Sequence, residues 1–309
     1  MPVLSLGGMR FQQSWSDLPA EQISDCSQTN LLRTLQRAVD HGFHHVETAR
    51  HYGSSERQLG WALPDIPDPQ RILQSKIPPR DDPAEFEDLL ALTFDRLGCD
   101  RLELLAIHGI NQPRHLDLAM RSGGCLEVVR RWQRDGRIGH VGFSTHGPVD
   151  LIVTACDSGA FDYVNLHWYY IRQDNSAALD AARRQDMGVF IISPTDKGGH
   201  LHTPSERLLE LCAPLHPMVF NDLFCLSDNF FLFGRLFLFS NNLFFCFGCF
   251  FFGYDFFCFC GYFLVFFDYL FRIEFFLFLH TLHCIRRLSA FVYNVTHLLE
   301  GCARGLQLC

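Results

Sequence analysis

Four side chains, Glu47, Tyr52, Lys76 and His108, are of types that together could reduce a carbonyl group. Delivering hydride to a carbonyl carbon leaves a developing alkoxide that needs a proton donor. Free tyrosine titrates near ~10, too high for easy donation at neutral pH. A neighbouring ammonium stabilises the phenolate and lowers that value, and a carboxylate paired with the ammonium holds it in place. A histidine can orient the carbonyl oxygen by hydrogen bonding. Taken one at a time, a strand-end His or Glu is more often a cap or a surface group. Lys76 is harder to dismiss, because the chain has only two lysines and this one closes an apolar run.

These residues would be positioned by a repeat of β-then-α units. VLSLGG near the start, FHHVET (43–48), RILQSK (71–76), LELLAIH (102–108), IGHVGFS (138–144), DYVNLHW (162–168) and GVFIISP (188–194) each read as a strand. Amphipathic helical patterns lie between them. Leu31, Leu32, Leu35, Ala38 and Val39 share one helical face, and Gly42 marks its stop. Asp82, Pro83 and Glu85 form a start signal of N-cap, first-turn proline and early acid, and Gly98 ends the helix that buries Phe86, Leu89, Leu90 and Leu97. Gly136 closes the helix containing Val128, Val129 and Trp132. Such units imply parallel strands with helical crossovers, in a doubly wound sheet or a barrel. No G-x-G-x-x-G opens a helix after the first strand, which favours a (β/α)8 TIM barrel with its site at the C-terminal strand ends. Seven units are recognisable, so the barrel is expected to be incomplete.

VETARHYGSSERQLG (46–60) resembles the signature of the aldo/keto reductase family, and QSK, LAIHG, VGFSTHGP and GVFIISPTDKGG follow in that family's order. The resemblance covers roughly residues 3–226. It implies an NADPH-dependent reductase of aldehydes or ketones, with NADH as the alternative cofactor. Tyr52 would be the proton donor, Lys76 and Glu47 its tuning pair, and His108 the group that orients the carbonyl. It also implies that Ser144, Thr145 and Asn165 meet the nicotinamide end and that Lys197 approaches cofactor phosphate. There are departures: Glu47 stands where the family usually has aspartate, Ser144–Thr145 replaces Ser-Asn, and Ile192 replaces a stacking tyrosine. Trp168, Tyr169 and Tyr170 are candidates for lining a substrate pocket. GFSTHG and SPTDKGG are most similar to a branch that often adds a C-terminal iron–sulfur segment. His200 and His202 lack a Cys or carboxylate partner at ligand spacing, so no metal is assigned.

Composition changes abruptly near residue 227. Residues 1–227 hold 9 of the 31 Phe, all 14 Pro and both Lys; the remaining 82 residues hold 22 Phe. The front part, 1–226, is acidic without a basic run, which argues against a nucleic-acid surface. Its six scattered cysteines suit reduced thiols in the cytoplasm, and MPVLSLGGMRF is not a secretory leader. The tail, 227–309, shows neither the eighth strand nor the adenosine-phosphate loop that the resemblance would place there, so weak NADPH binding or none is expected. Cys246 and Cys249 begin like a cluster-binding run, but the next cysteine is Cys258 and no proline follows, so an iron–sulfur cluster is not expected. Residues 243–267 are long enough to span a bilayer, but Asp255 sits near their middle. A sequence translated out of frame accounts for this composition better than a membrane anchor on a non-catalytic barrel remnant, which is the alternative. Substrate identity and oligomeric state are not legible.

Overall fold

A computed structural model describes residues 4–11, 13–196 and 199–228. The chain divides into two compact units, Met1–Cys225 and Leu226–Cys309, and everything below except the end of the last helix belongs to the first. The Phe-rich tail and Lys197 lie outside the described residues.

The order of elements is β1 (Ser5–Gly7), α1 (Asp25–Asp40), β2 (His45–Glu47), α2 (Ser55–Ala62), β3 (Ile72–Ile77), α3 (Pro83–Leu97), β4 (Leu102–Ile107), α4 (Pro113–Met120) and α5 (Cys125–Arg134). It continues with β5 (Ile138–Ser144), α6 (Val149–Asp157), β6 (Tyr163–Leu166), α7 (Ser176–Arg184), β7 (Gly188–Ile191), α8 (Glu206–Cys212) and α9 (Pro217–Asp228). All seven strands form one parallel sheet in sequential order, β1 to β7. Among the described residues β1 and β7 are its edges. This is the expected α/β architecture, an incomplete (β/α)8 barrel of seven units among the described residues.

Local chemistry explains the helix ends. Asp82 accepts a hydrogen bond from the Ala84 amide at 2.9 Å, Pro83 opens α3, and Gly98 leaves it in the left-handed region. The face of α3 that carries Phe86, Leu90, Phe94 and Leu97 is buried, at roughly 1.5–3 kcal/mol per large side chain. Several strands are shorter than their apolar runs suggest, β6 and β7 among them. β7 stops at Ile191 because Ser193 takes φ 52° just before Pro194, and β6 stops at Leu166 as the chain turns into a bridge between Tyr169 and Arg172. The segment between β4 and β5 holds two helices, α4 having no counterpart in the sequence reading.

Alternation along the strands separates two apolar clusters. Leu105, Ile107, Val141, Phe143, Val164 and Leu166 belong to the large core shared with the helices. Leu104, Ala106 and Tyr163 form a second cluster with Ile72. Residues of this second parity include Gln74, Lys76, Ser144 and Asn165, so it is the face that carries the polar groups.

Candidate active site

The loop leaving β2 is held tightly to β3. The Thr48 amide donates to the Gln74 carbonyl at 2.8 Å, and the Arg50 amide to the Lys76 carbonyl at 2.9 Å. Behind the loop the buried Arg50 side chain pairs with Glu56 in α2 and, at 2.9 Å, with Asp17. Ser75 donates to the other Glu56 oxygen at 2.6 Å. Glu56 is fully buried, and burial raises its pKa against the opposing pull of Arg50 and Ser75. Gly53, next to Tyr52, has φ +52°, and a Cβ there would lie 2.0 Å from the Ser14 carbonyl oxygen, so a larger residue would push the loop outward. Tyr52 is thereby fixed from its rear.

The four residues singled out by their chemistry converge here. Glu47 is the last residue of β2, Lys76 lies near the end of β3, and His108 directly follows β4. Lys76 is 2% exposed, forms an ion pair with Glu47 and donates to the Thr48 carbonyl at 2.9 Å. Its Nζ lies 4.6 Å from the centroid of the Tyr52 ring. The His108 ring meets the Tyr52 ring edge-on, 5.9 Å between centroids at 90°, and is also 5.9 Å from His51. The His108 amide donates to the Ile77 carbonyl at 2.7 Å, while Nδ1 has no hydrogen-bond partner among the described residues.

The electrostatics differ from expectation at one point. The Tyr52 phenol is pushed up to about 12, not down, and burial is the cause. Lys76 faces the ring rather than the hydroxyl, and burial in turn drives its own ammonium well below the ordinary lysine value. His108 is pushed down to about 3, first by burial and then by Lys76, His51 and His146, so it is neutral at pH 7.

Beside this group lie the residues expected at the nicotinamide end. Ser144 closes β5 opposite Asn165 of β6. The Ser144 hydroxyl accepts from the Gly109 amide at 3.0 Å, which leaves its own hydrogen available. The Thr145 hydroxyl donates to the Ile110 carbonyl at 2.7 Å and accepts from the Gly147 amide at 2.9 Å, so it clasps the two loops together. Asn165 is fully buried; its Oδ1 accepts from Gln74 Nε2 at 3.2 Å and its Nδ2 has no partner among the described residues.

The aromatic candidates divide. Trp168 stacks on Phe224 of α9 at 4.7 Å and donates to Ser176, and fully buried Tyr169 meets Asp196 at 3.1 Å; both pack the protein. Tyr170 is partly exposed and packs edge-on against Phe220 and Phe224. His200 lies 3.3 Å from Asp196. Trp15, which the sequence reading passed over, lies 6.5 Å from Tyr52 and lines a cleft of about 390 Å3 with Asp17, Arg50, His51, Gly53 and Leu89. Arg50, Glu56 and Gln74 were also passed over. Arg50 and Glu56 lie six positions apart across a turn, so no helical or strand period links them, and Gln74 gains its meaning only from a strand three places away in the sheet. No helix among the described residues is long and apolar enough to cross a membrane.

Residues 3–215 match the model of the aldo/keto reductase family. No curated protein matches the sequence. Among solved structures, the chain is similar to an aldo-keto reductase from Bacillus halodurans in its holo form, at TM-score 0.60 and 16% identity over 73% of this chain and 78% of that one. It is also similar to an aldo-keto reductase from Klebsiella pneumoniae in complex with NADPH, at TM-score 0.53 and 16% identity over 71% of this chain and 75% of that one. At such identities these structures speak for the fold.

Proposed function

Because the chain belongs to the aldo/keto reductase family of NAD(P)H-dependent oxidoreductases, we propose that it reduces aldehyde or ketone carbonyls with NADPH. The observation that carries this reading is the convergence of Tyr52, the Lys76–Glu47 pair and His108 at the C-terminal ends of three adjacent strands. The residues present suit a nicotinamide carboxamide. Asn165 offers a buried Nδ2 with no partner among the described residues, and Ser144 offers a hydroxyl hydrogen one strand away. Bound NADPH would supply the hydride that adds to the carbonyl carbon.

The chain's own residues do the rest. Neutral His108 can donate one hydrogen bond to the carbonyl oxygen without a charge that competes with Lys76. Tyr52 hands its proton to the oxygen as negative charge builds there. A phenol pushed up to about 12 remains a competent donor, because an alkoxide is far more basic than a phenolate. Lys76 stabilises the phenolate left behind, and its ion pair with Glu47 holds it in place against the ring. Thr145 acts through the loops it joins rather than by contact. Lys197 remains the candidate for cofactor phosphate. A soluble carbonyl compound is the partner in this reading, and the cytoplasm its setting.

The test is NADPH oxidation across a panel of aromatic and aliphatic aldehydes and ketones, by the chain as written with cofactor raised to offset its expected weak binding and by the chain restored to the other reading frame after codon 227. Consumption that depends on both the protein and the carbonyl is expected. A flat baseline across the panel, with folded protein, would remove the reading.

A further inference from the structure

Residues 13–17, between β1 and α1, are fastened at both ends. At one end the Gln13 side chain donates to the Gln22 carbonyl at 2.9 Å and accepts from the amide and the hydroxyl of Ser24, the N-cap of α1, at 2.6 Å each. At the other end Asp17 bridges two arginines. One of its carboxylate oxygens accepts from Arg50 at 2.9 Å, the other from Arg96 of α3 at 2.8 Å. The segment is thus joined to α1, to the loop that carries Tyr52 and to α3. Between the two anchors its backbone lies against Gly53, where a Cβ would sit 2.0 Å from the Ser14 carbonyl oxygen.

Trp15 stands in the middle of this segment and is 65% exposed. A large apolar ring on a loop fixed at both ends has already lost freedom that binding would otherwise cost it, which makes it a preorganised contact. The indole meets the Tyr52 ring edge-on, 6.5 Å between centroids at 75°, and walls the cleft of about 390 Å3 together with Leu89 and His51. That volume lies within the range of small-molecule sites. His51 is shared, since its ring lines the cleft and lies 5.9 Å from the His108 ring, so the cleft borders the candidate tetrad. The charged groups around it are matched to one another, Asp17 with Arg50 and Arg50 with Glu56, which leaves nothing to draw an ion. A flat, uncharged, apolar group is what these walls suit.

We infer that this cleft is a subsite for the aryl end of a carbonyl substrate, with Trp15 as its specificity-determining contact and Asp17 as the positioning residue that holds Trp15 there. This deepens the proposed function and rests on it for the carbonyl end of the ligand. Asp17 acts through Trp15, both of its oxygens being engaged by arginines.

The test is ligand-observed saturation-transfer NMR on the full chain without cofactor, titrating 2-acetonaphthone and, separately, acetophenone, which has the same carbonyl end and one ring fewer. Trp15→Ala should weaken 2-acetonaphthone binding roughly tenfold, the worth of one aromatic contact with its buried area, and leave acetophenone nearly unchanged. Asp17→Asn, which keeps the size and removes the charge that both arginines meet, should give a similar loss for 2-acetonaphthone, and Asp17→Glu should recover part of it. Trp15→Ala combined with Asp17→Asn should bind no more weakly than Trp15→Ala alone. Arg96→Gln removes one anchor from the α3 side; it should show the same loss of preference and covers the case in which Asp17→Asn does not fold. Unchanged 2-acetonaphthone binding in Trp15→Ala, equal losses for both ketones, or additive losses in the double variant would overturn the inference. Reduction of the two ketones with NADPH by the frame-restored chain reports on the proposed function separately. A Trp15-dependent preference with neither ketone reduced keeps the aryl subsite and removes the reductase reading, whereas reduction of both without dependence on Trp15 does the reverse.

Discussion

Lys76 Nζ stands 4.6 Å from the centroid of the Tyr52 ring, on its face rather than at its hydroxyl. In this arrangement the ammonium serves two partners at once, the ring and the Glu47 carboxylate. A desolvated cation over an aromatic ring is worth up to about 2 kcal/mol, and a buried ion pair that loses one member costs about 3–5 kcal/mol. Lys76→Met should therefore lower stability by several kcal/mol as well as abolish turnover, because Glu47 is left buried without a counter-charge. Glu47→Asp restores the shorter acid usual in the family and should retain measurable activity. Denaturant melts of the two variants check this, and equal stability of Lys76→Met and the unaltered protein would contradict it.

The buried Arg50–Glu56 pair, with Ser75 and Asp17, holds the loop that carries Tyr52 without contributing a group to the reaction. Glu56→Ala leaves buried Arg50 with Asp17 as its remaining carboxylate and takes away the acceptor of Ser75, and should cost about 1–3 kcal/mol. In protein that remains folded, it should lower kcat more than it raises the carbonyl KM, because the donor is misplaced while the pocket survives. A change confined to KM would show that the pair shapes the substrate pocket and not the donor.

Two histidines make stability depend on pH. His45, fully buried, is pushed down to about 4 and His108 to about 3, burial being the leading cause for both. The unfolded chain binds protons at these sites below the ordinary value near 6.5 while the folded chain does not, so stability is full above about pH 6.5 and declines as pH falls toward 4. His45 alone contributes on the order of 3 kcal/mol to that decline. The thermal midpoint should fall through this window and fall less in His45→Gln. For the same reason kcat/KM should show no inflection near 6.5 from His108. A melting profile flat across the window would refute the assignment.

Much of the fold was legible because parallel strands and their crossovers leave strong local marks. Asp82, Pro83 and Gly98 bound α3 as their chemistry requires, and the seven apolar runs all pair. The tetrad could be anticipated because each member closes or follows a strand. The parts that escaped depend on distance through space. The Gln74–Asn165 bond joins residues 91 apart, and Glu56, placed in the first turn of α2, looks like an ordinary helix-start acid until Arg50 and Ser75 are seen around it. The direction of the Tyr52 shift also escaped, since a sequence shows that a lysine is near but not that it faces the ring.

The composition change near residue 227 makes a prediction about the gene. If residues 227–309 are translated out of frame, one of the other two reading frames past codon 227 should resume a strand, a small-residue turn and a phosphate-binding helix start. The chain so restored should bind NADPH far more tightly than the chain as written. Two frames without such a pattern, together with protein that stays with membranes through salt and alkaline washing, would favour an anchor instead.

The central claim, that this site transfers hydride to a carbonyl with Tyr52 as proton donor, is tested most directly by isotope. The full chain is incubated with NADPH deuterated at both C4 positions and an aromatic aldehyde, and the alcohol is analysed by mass spectrometry. Deuterium on the carbinol carbon is expected with the unaltered protein, and Tyr52→Phe, which keeps the ring beneath Lys76, should lower the rate of labelling by about 10²–10⁴. Alcohol without label, or labelling at an equal rate in Tyr52→Phe, would contradict the account.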